Sequence, residues 1–538
     1  MVFGQSGAQS MTSRSWPGTT IAALATCLVS GCALVGPDYE APEVRLNPGW
    51  LETGQSRVVA APAENAAWWR TFDDPALTRL VELGYQQNLP LQAAGVRVVQ
   101  ARAQLAVAIG QEYPQQQQAV GEILRARESA RAPFAPIGDA AALEYTSASV
   151  GVQAAWELDL WGKFRRFVES ADADLASSVA NYDDVLVSLT ANLATAYIQL
   201  RTLQQQLAVA HDNVDVQEEG LKIANARFHG GATDERDVQQ ATTILAATQA
   251  TIPQLEGQIE QTKNAIATLL GLPPGPLDDL LGKKAGIPVA PSQVALGIPA
   301  DLLRRRPDLR QAEAQAVAQS ALIGFQKADL YPSFSLIGSF GFTSSSWQQF
   351  NLSDITQMRS RTFGFGPSVT WDFLNYGRIE NTVRAQDAAF QTALTLYQNS
   401  VLVAQQEVEN GLIGFRKSQE QARYLSEAVR AAQRSLDLAF AQYRNGVTDF
   451  TTVLVAEQQL LAQQDQLTLT AGAIPTNLVA TYRALGGGWQ IREGHGFLPP
   501  QTVAAMSQRT DWGKLLDYEI AVPPVPMPRP TEFRLPVP

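Results

Sequence analysis

The sequence predicts a mainly α chain built from two copies of one module, each a pair of alternating strands followed by a long coiled-coil helical hairpin. Three observations predict it. The chain of 538 residues repeats itself at a fixed offset. The segments that open each copy alternate apolar and polar residues. The segments that follow carry apolar residues seven apart over many turns.

The repeat sets the frame, because self-similarity decides the architecture before any local reading. An offset of 215 carries residues 147–271 onto 362–486 without a gap. Trp156 falls on Trp371, Gly162 on Gly377, Tyr182 on Tyr397 and Arg201 on Arg416. Gly231-Ala232-Thr233-Asp234 falls on Gly446-Val447-Thr448-Asp449, and Leu270-Gly271 on Leu485-Gly486. A period this long marks two similar units rather than a solenoid of short repeats.

The strands come first in each unit. Ala148, Val150, Val152, Ala154, Trp156 and Leu158 alternate with Ser149, Gly151, Gln153, Glu157 and Asp159. In the second copy Phe363, Phe365, Val369, Trp371 and Phe373 alternate with Thr362, Gly364, Gly366, Ser368, Thr370 and Asp372. A preceding strand sets Phe334, Leu336, Phe340 and Phe342 against Ser333, Ser335, Ser339 and Gly341; its counterpart around Gln115 to Arg127 is less regular. Period two gives one apolar and one polar face. The apolar face meets either another sheet or, in an outer membrane, lipid.

The helices follow. Leu186, Leu193, Leu200, Leu207, Val214, Leu221 and Phe228 recur at seven, as do Val401, Val408, Phe415, Ala422, Val429, Leu436 and Tyr443. A sustained period of 3.5 is the coiled-coil signature. From Lys163 to Phe228 this is roughly 100 Å of helix at a 1.5 Å rise. Each hairpin turns at a glycine, Gly230-Gly231 or Gly446, where a left-handed residue closes the helix. The basic run Arg304-Arg305-Arg306 before Pro307-Asp308 reads as a solvated helix entry with local ion pairs.

Upstream, residues 12–31 read as a secretory leader. Arg14 supplies the positive start and Ile21 to Val29 a short apolar core. It runs into Val29-Ser30-Gly31-Cys32, which resembles a bacterial lipobox, so Cys32 is the expected lipidation site and Cys27 leaves with the leader. Acyl chains contribute about 0.8 kcal/mol per buried CH₂, so several anchor firmly.

Composition excludes much else. A net charge of −11 argues against a nucleic-acid partner. No stretch approaches the roughly 18 apolar residues of a spanning helix, so a membrane-crossing form of this chain must be a β-barrel. His211, His229 and His495 are scattered, and both cysteines precede the body, so no metal motif is expected. With no nucleophile elbow or phosphate loop either, the chain is expected not to be an enzyme and to carry no cofactor beyond a covalent lipid on Cys32.

Several segments, taken in order, are similar to the TolC-type outer-membrane factors, in the lipoprotein, NodT-like branch that serves resistance-nodulation-division pumps. They are Gly31-Cys32-Ala33-Leu34-Val35-Gly36-Pro37-Asp38-Tyr39, Trp68-Trp69-Arg70-Thr71-Phe72-Asp73-Asp74-Pro75 and Trp156-Glu157-Leu158-Asp159-Leu160-Trp161-Gly162. Leu269-Leu270-Gly271, Leu302-Leu303-Arg304-Arg305-Arg306-Pro307-Asp308-Leu309 and Gly366-Pro367-Ser368 complete the series.

The resemblance implies a homotrimer: a twelve-stranded transmembrane β-barrel continued by a helical tunnel across the periplasm of a Gram-negative bacterium. Four strands per chain cannot close a lipid-exposed barrel, so several chains are required on physical grounds too. The resulting division is a signal at 1–31, a lipidated segment at 32–65 and a first repeat at 66–271. That repeat has strands near 115–128 and 147–159 and a hairpin at 163–271. A connector follows at 272–300, then a second repeat at 301–486 with strands near 333–346 and 361–374 and a hairpin at 376–486. An equatorial segment and proline-rich tail at 487–538 end the chain.

The resemblance further implies a passive exit duct for small molecules, working with a periplasmic adaptor and an inner-membrane transporter. The hairpin tips would meet the adaptor through Phe228, Gly231, Thr233, Asp234, Tyr443, Arg444, Gly446 and Thr448, of which Asp234 and Thr448 read equally well as helix caps. The tunnel would narrow nearby, at Asp237, Val453 and Val455; the last stands where the family usually has an acid. A one-step protein-secretion duct and a pore-less periplasmic coiled-coil adaptor are the competing readings.

Overall fold

The computed structural model describes residues 34–51, 58–60, 66–127, 129, 144–282, 286–291, 294–296, 299–347, 351–517 and 530–532. The leader and Cys32 lie outside the described residues. In chain order the elements are strands β1 (Val44–Leu46) and β2 (Val58–Ala60), helices α1 (Pro75–Gln87) and α2 (Leu89–Gly110), strands β3 (Gln116–Arg127) and β4 (Glu144–Leu158), and helices α3 (Lys163–His229) and α4 (Glu235–Leu269). Strand β5 (Val294–Leu296), helix α5 (Pro307–Ala328), strands β6 (Ser333–Ser345) and β7 (Arg361–Thr370), helices α6 (Arg378–Arg444), α7 (Phe450–Ala484) and α8 (Pro500–Arg509), and strand β8 (Pro530–Glu532) follow.

The duplication is complete at the level of the hairpins. Helices α3 and α6 have 67 residues each, and α4 and α7 have 35 each. Both turns close identically. Gly231 and Gly446 sit at φ +71°, where a side chain would crowd the carbonyl. The following amides, Ala232 N and Val447 N, reach back to Arg227 O at 2.8 Å and Gln442 O at 2.9 Å. This is the hydrogen-bond pattern that satisfies the last carbonyls of a helix.

The chain divides into two compact units. The first, drawn from 1–39, 105–171 and 319–389, contains one antiparallel sheet in the order β3-β4-β6-β7. Its register sets Ala119 beside Val152, Val152 beside Phe340, and Phe340 beside Phe363. The neighbouring rung is Gln118, Gln153, Ser339 and Gly364. The less regular segment after Gln115 is therefore a full strand.

The second unit, from 40–104, 172–318 and 390–538, is helical, apart from two short parallel strand pairs, β1-β8 and β2-β5. Its core includes Trp68, Trp69, Phe72, Leu77, Leu80, Tyr197 and Leu193. Trp68 stacks on Tyr482 of α7 at 5.5 Å. Asp74 caps α1 by accepting from Ala76 N at 2.9 Å and Leu77 N at 3.1 Å, with Pro75 at the first helical position. Its other oxygen accepts from Tyr197 Oη at 2.8 Å, tying that cap to α3.

Within the arginine run Arg304 is exposed and Arg306 makes a local ion pair with Asp308, as expected of a solvated helix entry, but the Arg306 side chain itself is not solvated. Arg306 is buried, and donates to Glu407 at 2.7 Å, Asp308 at 2.7 Å and Ala484 O at 2.9 Å. Pro307 begins α5, so the side chain before it turns inward onto the C-terminus of α7, whose last carbonyls lack helical partners. A second buried ionic centre joins three segments. Asp183 on α3, fully buried, accepts from Arg310 Nη2 on α5 at 2.8 Å, and from Arg492 Nη2, beyond α7, at 3.1 Å.

Candidate functional site

Two surfaces carry the candidate chemistry, one in each unit. In the first unit the sheet segregates by face over most of its length, with Val120, Leu124 and Ile337 on the otherwise polar side and Arg125 and Arg361 near the ends of the apolar one. Ala119, Ile123, Val150, Val152, Leu336, Phe340, Phe363, Phe365 and Val369 share one face through the register. Gln118, Ser149, Gly151, Gln153, Ser339, Gly341, Thr362 and Gly364 share the other. The apolar face is uncovered: Ile123 is 80% and Phe365 87% exposed. An apolar patch of this extent marks a surface meant to meet something apolar.

Aromatic groups gather at one end of the strands. Trp161 stacks on Tyr331 at 4.8 Å. Trp156 Nε1 donates to Glu112 O and Trp371 Nε1 to Leu330 O, each at 3.1 Å. Amphipathic rings with a satisfied N–H suit a boundary between lipid and water. No described helix is long and apolar enough to cross a membrane. The first described residues dock here as well. Val35 N donates to Trp161 O at 3.0 Å, and Arg166 binds both Val35 O at 3.3 Å and Asp38 at 2.7 Å.

In the second unit the hairpin tips pack together around Ala224, Ala241, Leu436, Ala439, Tyr443, Phe450, Val453, Ala456 and Leu460. This packing corrects three expectations. Val453 is fully buried, and Asp237 is 1% exposed, so neither lines a water-filled passage in this conformation. Tyr443 is likewise buried rather than offered to a partner. The reason is cross-hairpin packing. Tyr443 Oη donates to Asp237 Oδ2 at 3.1 Å, and Thr233 Oγ1 donates to the same oxygen. Burial and the Asp237 carboxylate push the Tyr443 phenol up to about 12, so it remains a donor. Arg227 covers the Tyr443 ring at 4.5 Å and donates to Ala232 O at 3.3 Å.

The remaining candidates stand at the surface. Val455 is 53% exposed. Phe228, Gly231, Arg444 and Gly446 are exposed, and Arg444 approaches Glu219 at 3.6 Å. Asp234 is exposed and caps α4, accepting from Arg236 N at 3.1 Å. Thr448 does not cap α7. Asp449 occupies that position, and Thr448 bonds Thr452 at 2.7 Å. Arg227 escaped the sequence reading. Its signal is divergence between the copies, since its counterpart is Gln442 and that of Tyr443 is Phe228.

Among the described residues no group of three or more His, Cys, Asp and Glu side chains could hold a metal ion.

Known proteins resemble this chain over most of its length. Nodulation protein T of Rhizobium leguminosarum bv. viciae is 31% identical over 489 residues, 90% of this chain and 96% of its own length. The pyoverdine export outer membrane protein OpmQ of Pseudomonas putida is 30% identical over 444 residues, 82% of this chain and 92% of its own. The solved structure of the outer-membrane channel OprN matches with a TM-score of 0.79 and 33% identity, covering 85% of this chain and all of that one. The family model described as outer membrane efflux protein matches residues 80–272 and 298–487, one stretch for each copy of the repeat. With both copies matched, this chain belongs to the outer membrane efflux protein family.

Proposed function

We propose that this outer-membrane efflux channel works as a passive duct of three chains, sealed at rest by the packed hairpin tips. The observation that carries the reading is the exposed apolar face of a four-stranded sheet with β3 and β7 as its edges. In hydrocarbon an unpaired edge costs several kcal/mol per group, so β7 of one copy pairs with β3 of the next until the barrel closes. Three copies give twelve strands. The polar face, with Gln118, Gln153 and the carboxylates of Glu122 and Glu157, then lines water, and solutes pass down their gradient.

The tip is the gate, with the Asp237–Tyr443 hydrogen bond as its latch, because it joins the two hairpins of one chain where they turn. Tyr443→Phe with Asp237→Asn is expected to raise single-channel conductance in planar bilayers severalfold. An unchanged conductance would remove the latch. The partners are a periplasmic adaptor and an inner-membrane transporter. A groove of about 560 Å³ lined by Ala432, Ser435, Asp449, Thr452, Val455 and Gln459 offers the adaptor a seat on the second hairpin.

Cys32 carries the lipid in this reading. Support comes from the docking of Leu34 to Asp38, which holds the chain that follows Cys32 beside the aromatic end of the sheet. Leu34 lies so close to Gly162 that an added Cβ would stand 2.8 Å from Leu34 Cδ2. On α5, a Cβ at Gly324 would collide with Val35 O. Gly324→Val is therefore expected to lower stability by about 1–3 kcal/mol in denaturant titrations, leaving acylation of Cys32 intact by mass spectrometry. Cys32→Ser should abolish the acyl mass, and an acyl group surviving that change would place the lipid elsewhere.

A further inference from the structure

Glu457 lies within the tip packing, on α7, with 1% exposure. Among the described residues neither of its carboxylate oxygens has a hydrogen-bond partner. It points at α3, where Gly220 makes the room. A Cβ at Gly220 would stand 3.1 Å from Glu457 Oε1 and 3.4 Å from the Phe440 ring of α6. One turn earlier on α3, Gln217 is also buried, and both its amide atoms lack partners among the described residues.

The two copies of the repeat differ at all three positions. The counterparts of Glu457, Gly220 and Gln217 are Thr242, Ser435 and Ala432. Thr242 is exposed and donates to Val238 O at 2.8 Å within its own helix. The contact of α7 with α3 thus brings a buried carboxyl of the second copy to a notch and an amide of the first, while the counterpart of the carboxyl is an exposed threonine.

Among the described residues no charge faces this carboxyl to offset it. On α3, Glu218, Glu219 and Lys222 are exposed, and Glu219 lies near Lys222 at 4.0 Å and Arg444 at 3.6 Å. On α6, Arg434, Asp437 and Arg444 are exposed, and the side chain between them that reaches Gly220 is Phe440. On α4, Asp237 is engaged by Thr233 and Tyr443. On α7, residues 450–461 contain no other ionisable side chain. An isolated buried charge is strongly disfavoured, and such a group neutralises instead.

We propose that Glu457 is held as the neutral acid while the tips are packed and releases its proton when α3, α6 and α7 separate, so that opening of the duct is coupled to one proton per chain. This rests on the reading of the tips as the gate. Burial is the cause that pushes the group up from its ordinary 4.5 to about 7. The sign follows from linkage. The packed state binds the proton more tightly, so its advantage is complete below about pH 4.5 and is lost as pH rises through about 7. Acid therefore favours the sealed tip, and neutral to alkaline pH favours opening.

The test is single-channel recording of the purified full-length protein in planar bilayers, about one unit either side of pH 7. The wild type is expected to open more at the higher pH, its open-to-closed ratio changing up to about tenfold per pH unit per chain. Glu457→Gln is expected to stay closed and lose the pH step, while Asp437→Asn, an exposed carboxylate on α6, keeps it. A Glu457→Gln channel with the wild-type pH step overturns the proposal. A channel whose conductance responds neither to pH nor to Tyr443→Phe overturns the tip gate, and this proposal with it. If Glu457→Gln does not assemble, infrared titration of the wild type decides. A protonated-carboxyl stretch that vanishes as pH rises through about 7 supports the assignment, and the absence of one overturns it.

Discussion

Phe340→Arg will abolish stable insertion into lipid, and Ser339→Arg, its immediate neighbour, will not. The two residues differ in the face they occupy. Phe340 stands between Val152 and Phe363 on the apolar side, near the middle of β6, while Ser339 stands between Gln153 and Gly364 on the other. A charge on the lipid face near the midplane costs about 2–4 kcal/mol, and the cost recurs in every chain of the assembly. On the inner face the same charge stays in water, where it alters ion selectivity rather than folding. Heat-modifiable migration on gels and conductance in bilayers read the two effects separately. If Ser339→Arg failed to insert while Phe340→Arg succeeded, the faces would be assigned the wrong way round.

Asp183→Ala will lower stability by about 3–5 kcal/mol, because it strands two arginines rather than one. The Asp183 carboxylate has no solvent exposure and holds Arg310 and Arg492 together. Both guanidinium groups lie over the Trp489 ring, at 4.7 and 5.5 Å, so neither can swing freely into water. Exposed Asp437 makes the control, since surface substitutions usually stay within about 0.5 kcal/mol. Denaturant titration of both variants in detergent measures the difference. A loss below about 1 kcal/mol for Asp183→Ala would mean that water replaces the carboxylate.

The features legible in the sequence were those written as period or as repetition. Alternation along Phe334 to Phe342 fixed the faces of β6, because side chains in a strand cannot share a side with their neighbours. The heptad carried α3 through Leu186, Leu193 and Leu200, all fully buried. It failed at its end. Phe228 is exposed, whereas its counterpart Tyr443 is buried. Each stripe is compatible with burial, and which one is covered depends on how the two hairpins pack together. The same limit misplaced Asp237 and Val453. One turn past a tip, an acid looks like a lining residue until a tyrosine 206 positions away takes it as partner. The burial of Arg306 is not legible either, because two of its acceptors, Glu407 and Ala484 O, are remote in sequence while only Asp308 is local. Glu457 reads in sequence as an ordinary helical acid. Comparing the copies position by position would have raised Gln217, Gly220 and Glu457 together.

The antiparallel ladder between β4 and β6 bears on how the chain reaches its folded form. Leu158 pairs with Phe334 and Ser147 with Ser345, whereas β3 and β4 are separated by a short excursion. The outer ladders can zip locally, but the central one must wait for roughly 180 intervening residues to be made and brought round. Until it forms, each two-stranded ribbon presents greasy side chains and an open edge to the periplasm, the condition in which β-rich chains aggregate. The slow step of biogenesis, and the moment at which a chaperone matters most, is therefore the meeting of the two ribbons.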